Sequence, residues 1–254
     1  MSEIKKTSKT SVQRKQTKVK NANKSKKTTT KKNVIKQGNN KLYLSLIVIL
    51  FYFAWPHIVN AIKSVLSISD ANDLIFGIVS NLALISILVY IYHKDLKNYI
   101  LNFKKNLKKS LLIIGLFSII SIILVPLVNS IVINVLNINE ITANDNSLFA
   151  SFEKSPLLIA FMTIIYYPIV EEIVFEKALK DVIKSKWLFI ILSSVFFWYY
   201  NIAFTANLTY VTIMSSFYYF VLGFIRALAY HKTDNLVVPI CIKSIYNAFV
   251  TLIS

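Results

Sequence analysis

The sequence predicts an all-α membrane protein: a polytopic bundle of about seven transmembrane helices behind a disordered basic N-terminal tail. Three observations carry this. Of the 254 residues, 55% are hydrophobic, above the roughly 45–50% of soluble domains, and the mean hydropathy is +0.56. The apolar residues fall in long runs, and the whole chain has only four Gly and five Pro to interrupt them. The net charge of +17 is concentrated: the first forty-one residues are dense in Lys and hold a single acid, Glu3. Long unbroken runs indicate helices rather than a transmembrane barrel, whose strands alternate over short segments.

Residues 1–40 combine Lys, Thr, Ser and Asn with almost no large apolar side chain. Such a segment cannot bury enough surface to offset its ordering entropy. It is too long and too basic for a cleavable leader, and the apolar run that follows is also too long. The tail reads as a solvated topology anchor. It is also suited to anionic lipid head groups. No aromatic residue precedes Tyr43, so a base-stacking platform is absent and no nucleic-acid partner is expected.

The N-terminal membrane region is read over 41–136. Its first helix runs over 42–66, with Pro56 expected to kink it. An acidic loop with Asp70 and Asp73 leads to a second helix over 74–92. In 93–110, Lys94, Lys97, Lys104, Lys105, Lys108 and Lys109 interleave with Leu96, Tyr99, Ile100, Phe103 and Leu107 at helical spacing. That pattern predicts a separate amphipathic helix on the membrane surface. A third helix covers 111–136, with Pro126 inside it, and a polar loop fills 137–155.

The C-terminal region, 157–254, holds four more helices. The fourth starts near Pro156, carries Glu171 and Glu172 and extends amphipathically to Lys184. The fifth covers 187–204, the sixth 208–230 and the seventh 236–253. The excess of Lys on the tail, 93–110, 176–186 and the HKTDN turn places those segments in the cytoplasm. The predicted location is therefore the cell membrane, multi-pass, with the N-terminus cytoplasmic.

The single Cys241 rules out an intramolecular disulfide and a Cys-based zinc cluster, and His57, His93 and His231 do not repeat at ligand spacing; no cofactor is evident. The chemistry-bearing stretch is YYPIVEEIVFEKALKD, residues 166–181. Ionisable groups inside a bilayer are costly and usually serve a purpose. Glu171 and Glu172 are about 100° apart on a helix, so they cannot aim at one point. Glu172 and Glu176 share a face, an unfavourable spacing unless a cation or proton intervenes. Candidate cations are Lys177, Lys180, Arg226 and Lys243, and Asn201 and Asn247 can hydrogen-bond inside the bundle. A plainer alternative is that residues 171–184 mark where the fourth helix leaves the membrane and that Lys243 snorkels.

The order of these residues resembles the CPBP family (CAAX proteases and bacteriocin-processing enzymes, also called the Abi family) of intramembrane proteases. The first motif, EExxxR, appears as EEIVFE, with Glu171, Glu172 and Phe175 in place and Glu176 where Arg is expected. The second, FxxxH, appears as Phe197 to Asn201, with Asn for His. A Gly-led span follows from Gly223 to Ile240, and the third motif, HxxxN, appears as Lys243 to Asn247, with Lys for His.

The resemblance implies a membrane endopeptidase in which a Glu and two His activate water, with or without a metal ion, and the Asn holds the oxyanion. Carried over, the candidate catalytic residues are Glu171, Glu172, Asn201, Lys243 and Asn247, the two Glu foremost. With the Arg and both His replaced, whether the chain is an enzyme stays open. One reading is a pseudoprotease bound to a membrane protein or peptide partner. The family's bacterial roles are peptide processing, bacteriocin immunity and envelope regulation. A non-catalytic scaffold is the alternative, and a small transporter is less favoured because no internal repeat is present.

Overall fold

The computed structural model describes residues 40–68, 70–137, 155–203 and 209–253. The tail predicted over 1–40 lies outside the described residues except for Asn40, as do most of the 137–155 loop and the turn at 204–208. Two compact units are present, 1–44 and 45–254. The first is described only at its helical residues 40–44. The second holds the bundle.

The described residues form seven helices and no strand. They are α1 (Asn40–Val65), α2 (Asp70–Lys105), α3 (Leu107–Leu136), α4 (Pro156–Val182), α5 (Lys186–Ile202), α6 (Tyr210–Thr233) and α7 (Val237–Ile253). Five of them, α1 to α4 and α6, are long and apolar enough to cross a membrane. Helices α5 and α7 have 17 residues each, about 26 Å at about 1.5 Å per residue.

Local chemistry sets the helix ends. Pro156 occupies the first turn of α4, where a missing N–H costs nothing. Thr209 caps α6, its hydroxyl accepting from Thr212 N–H at 3.1 Å. Asp234 turns left-handed at φ 47° to end α6. Asn235 Oδ1 then accepts from Val237 N–H at 3.0 Å, opening α7.

One sequence expectation is corrected. Residues 93–105 do not form a separate surface helix; they continue α2, and α3 starts after a single break at Asn106. No Gly or Pro lies between Gly77 and Gly115 to stop α2 earlier. With 36 residues, α2 is about 54 Å long at about 1.5 Å per residue, well beyond a hydrocarbon core of about 30 Å. Its apolar stripe of Leu96, Tyr99 and Phe103 packs on the bundle core, and the six lysines of 93–110 are exposed. Two hydrogen bonds tie the extension to the α6–α7 end of the bundle. Tyr99 and Tyr230 hydroxyls meet at 2.8 Å, and Asn235 Nδ2 donates to Tyr99 O at 2.9 Å.

The bundle is inverted relative to a soluble protein. Glu171, Glu172, Glu176, Lys177, Arg226 and Lys243 are buried, whereas Leu50, Val135, Leu157 and Leu252 are exposed. Water would reject that distribution and hydrocarbon accepts it, so the chain is a membrane protein.

Helices α5 and α6 approach each other closely where Ser194 of one meets Gly223 of the other. A Cβ on Gly223 would lie 3.0 Å from Ser194 Cα and 3.3 Å from Phe197 Cδ1. Backbone cannot move aside as a side-chain tip can. We expect Gly223→Val to destabilise the bundle by about 1–3 kcal/mol, read as a lower unfolding midpoint in detergent. An unchanged midpoint would show that the two helices have room to separate.

Candidate functional site

Helix α4 places its carboxylates through an irregular backbone. Two π turns, Met162–Tyr166 and Ile173–Ala178, flank the α-helical segment Tyr167–Glu172. Such turns widen the helix locally and change the direction of the residues beside them. Glu171, Glu172 and Glu176 all end up buried, at 7%, 0% and 0% exposure, and each meets a different helix.

Glu171 pairs with Lys243 of α7 through Oε2. Glu172 pairs with Arg226 of α6 through Oε1, and both of those side chains are fully buried. Glu176, at the position of the motif Arg, accepts a hydrogen bond from Ser193 Oγ of α5 at 3.0 Å. The two cations share one aromatic ring: Arg226 Cζ lies 4.0 Å and Lys243 Nζ 4.5 Å from the Phe197 centroid. A desolvated cation against an aromatic face gains about 2 kcal/mol. The motif Phe thus supports two ion pairs that together carry no net charge. The cluster is not fully satisfied. Glu172 Oε2, Glu176 Oε2 and Arg226 Nη2 are buried with no hydrogen-bond partner.

The two asparagines bond to backbone. Asn201 Nδ2 donates to Phe197 O at 2.8 Å, one turn back in its own helix. Asn247 Nδ2 donates to Thr163 O at 2.7 Å, across to α4. The reason lies in the first π turn. There Tyr167 N–H donates to Met162 O, five residues back. In that register Thr163 O would be served by residue 168, which is Pro168 and has no N–H. Asn247 supplies the missing donor. Burying a carbonyl without one costs about 1–3 kcal/mol.

Lys177 belongs to a second cluster. Its Nζ lies 2.9 Å from Asp95 and 2.7 Å from Asp181, and 5.3 Å from the Tyr92 centroid. Ser45 Oγ donates to Asp181 at 3.1 Å and meets Tyr92 OH at 3.0 Å. This cluster ties α1, α2 and α4 together.

The structure therefore brings Glu171 to Lys243 directly, and Glu172 beside them through Arg226 and Phe197. It places Asn201 and Asn247 against backbone carbonyls. Sequence reasoning did not anticipate Ser193, Thr163 or the role of Phe197. Pro168, in the middle of a helix, was the visible signal for an orphaned carbonyl nearby.

The donor set does not suit a divalent metal ion. Both carboxylates of the dyad already face tethered cations. A protonated Lys has no lone pair to offer, and Asn is a weak ligand. Among the described residues, no three His, Cys, Asp or Glu side chains gather at metal-binding distance.

Comparison with curated proteins and with solved structures yields no match. A family model does match, over the segment that supplies both ion pairs, Phe197 and both asparagines. Residues 153–249 match the family model described as Rce1-like, type II CAAX prenyl endopeptidase Rce1-like, so this segment is similar to the CPBP-family proteases.

Proposed function

We propose that this chain is a non-proteolytic CPBP-like integral membrane protein, one that keeps the fold of a type II CAAX prenyl endopeptidase and uses it to hold a membrane partner. The observation that carries this reading is the pairing of both dyad carboxylates with tethered cations. A general base must accept a proton from water at working pH, with that water in hydrogen-bond reach. A carboxylate oxygen already engaged by a tethered ammonium or guanidinium is not open to that water. Asn247, the matching oxyanion residue, has one of its two amide N–H donors committed to Thr163 O. The water-activating groups are thus a framework of charges holding α4, α6 and α7.

The partner on this reading is a membrane protein or a membrane-inserted peptide, consistent with a role in immunity or envelope regulation. Lysine-rich segments on one side of the bundle support a cell-membrane location with the N-terminus in the cytoplasm.

The test compares protein termini in membranes from cells with wild type, with Glu171→Gln and with no protein. Identical termini in all three are expected. A new terminus formed only by wild type would overturn the reading and identify a substrate. A second comparison uses the double variant Asn201→His, Lys243→His, which restores both motif histidines. New termini from that variant alone would show that these two positions are where activity was lost.

A further inference from the structure

The α4–α5 turn gathers three lysines, of which Lys180 acts electrostatically on the buried Glu176 and none is in a direct ion pair among the described residues. Lys180 and Lys184 lie near the end of α4, and Lys186 opens α5. Lys184 Nζ donates to the backbone carbonyl of Asp181 at 2.7 Å, a dipole rather than a charge. Lys177, one turn earlier in α4, is held by Asp95 and Asp181, so the nearest carboxylates are already engaged.

Two of these lysines lie over aromatic rings. Lys180 Nζ lies 4.8 Å from the Phe189 centroid and Lys186 Nζ 4.9 Å from the Trp187 centroid. Both lysines act electrostatically on His231 near the end of α6, where Asp234 is the opposing charge. The α6 end adds Lys232, exposed and 5.3 Å from the Phe117 centroid.

Immediately along α5 the surface becomes apolar. Trp187, Leu188 and Ile191 are 58%, 51% and 45% exposed. A rim of ammonium groups over an outward apolar strip complements an amphiphile with an anionic head and hydrocarbon chains. An acidic soluble protein or a nucleic acid would engage the lysines and leave the strip bare.

We propose that Lys180, Lys184 and Lys186, together with the Trp187–Leu188–Ile191 strip, seat an anionic diacyl phospholipid. The headgroup phosphate lies among the lysines and an acyl chain lies along α5. Each lysine near such a headgroup contributes about a fivefold factor, so the three together contribute about a hundredfold.

The experiment titrates the full chain in neutral detergent with phosphatidylglycerol and, separately, phosphatidylcholine, counting bound lipids by native mass spectrometry. The site variant is Lys180→Gln, Lys184→Gln, Lys186→Gln. The control is Lys104→Gln, Lys105→Gln, Lys108→Gln, which removes equal charge at the α2–α3 junction. Both variants keep the basic tail. The expected result is that wild type and control retain phosphatidylglycerol over phosphatidylcholine and that the site variant loses about a hundredfold in affinity. The corresponding triple Lys→Arg variant, which keeps the charge, should retain the lipid, separating lost binding from lost folding. Equal loss in site variant and control would mean diffuse attraction and would overturn the seat. So would no preference for phosphatidylglycerol, or displacement of the lipid by inorganic phosphate alone.

Discussion

Replacing Arg226 by methionine will destabilise the bundle by about 3–5 kcal/mol, and Glu172→Leu will do the same. Both side chains are fully buried, so either change leaves a charge in the interior without its direct counter-ion. Arg226 would keep only the weaker attraction of Glu171, which is already paired with Lys243, and Glu172 Oε2 and Arg226 Nη2 are unsatisfied even with the pair intact. The double variant Glu172→Leu, Arg226→Met should recover most of the loss. A well-packed apolar pair of similar volume is often as stable as a buried ion pair, because it avoids the desolvation of two charges. The unfilled hydrogen-bond positions favour that outcome here. In a double-mutant cycle read by unfolding in mild detergent, the coupling should reach at least about 3 kcal/mol. Additive losses would show that Glu172 and Arg226 are stabilised separately and would remove one of the two ion pairs on which the proposed function rests.

Asn247→Leu will cost about 1–3 kcal/mol, the penalty for leaving Thr163 O without a donor. The decisive comparison is in a Pro168→Ala background. Alanine at 168 restores the N–H that the π-turn register directs at Thr163 O. The cost of Asn247→Leu should then fall by about 1 kcal/mol. An equal cost in both backgrounds would sink the proline explanation. No cost in either would sink the clamp itself and return Asn247 to the oxyanion role that the family resemblance implies. Stability is the right readout because an oxyanion donor exposed to substrate would affect turnover while leaving the unfolding midpoint nearly unchanged.

These two predictions separate what local sequence encodes from what it does not. The helices were legible because each apolar run reports its own solvation. The apolar run that opens near Pro156 predicts a membrane helix continuing to Lys184 whatever surrounds it, and α4 spans Pro156–Val182. The separate surface helix expected over 93–110 is absent for a related reason. Its amphipathic pattern shows that one face is covered, but periodicity does not say whether lipid or protein covers it. The packed contacts of Leu96, Tyr99 and Phe103 decide that.

At the centre, Glu171, Glu172, Arg226 and Lys243 were visible as costly residues in apolar helices, and the order of motifs tied them to one family. By itself the sequence determined that these charges needed partners. Only the tertiary structure decided which: Lys243 for Glu171, Arg226 for Glu172, Ser193 for Glu176 and the Asp95–Asp181 pair for Lys177. Partner choice depends on the depth and rotation of whole helices, and two π turns in α4 alter the rotation of the segment that carries the dyad. A carboxylate in hydrocarbon must be neutralised by whatever cation the packing presents, and that is set by several helices at once rather than by any one stretch of chain.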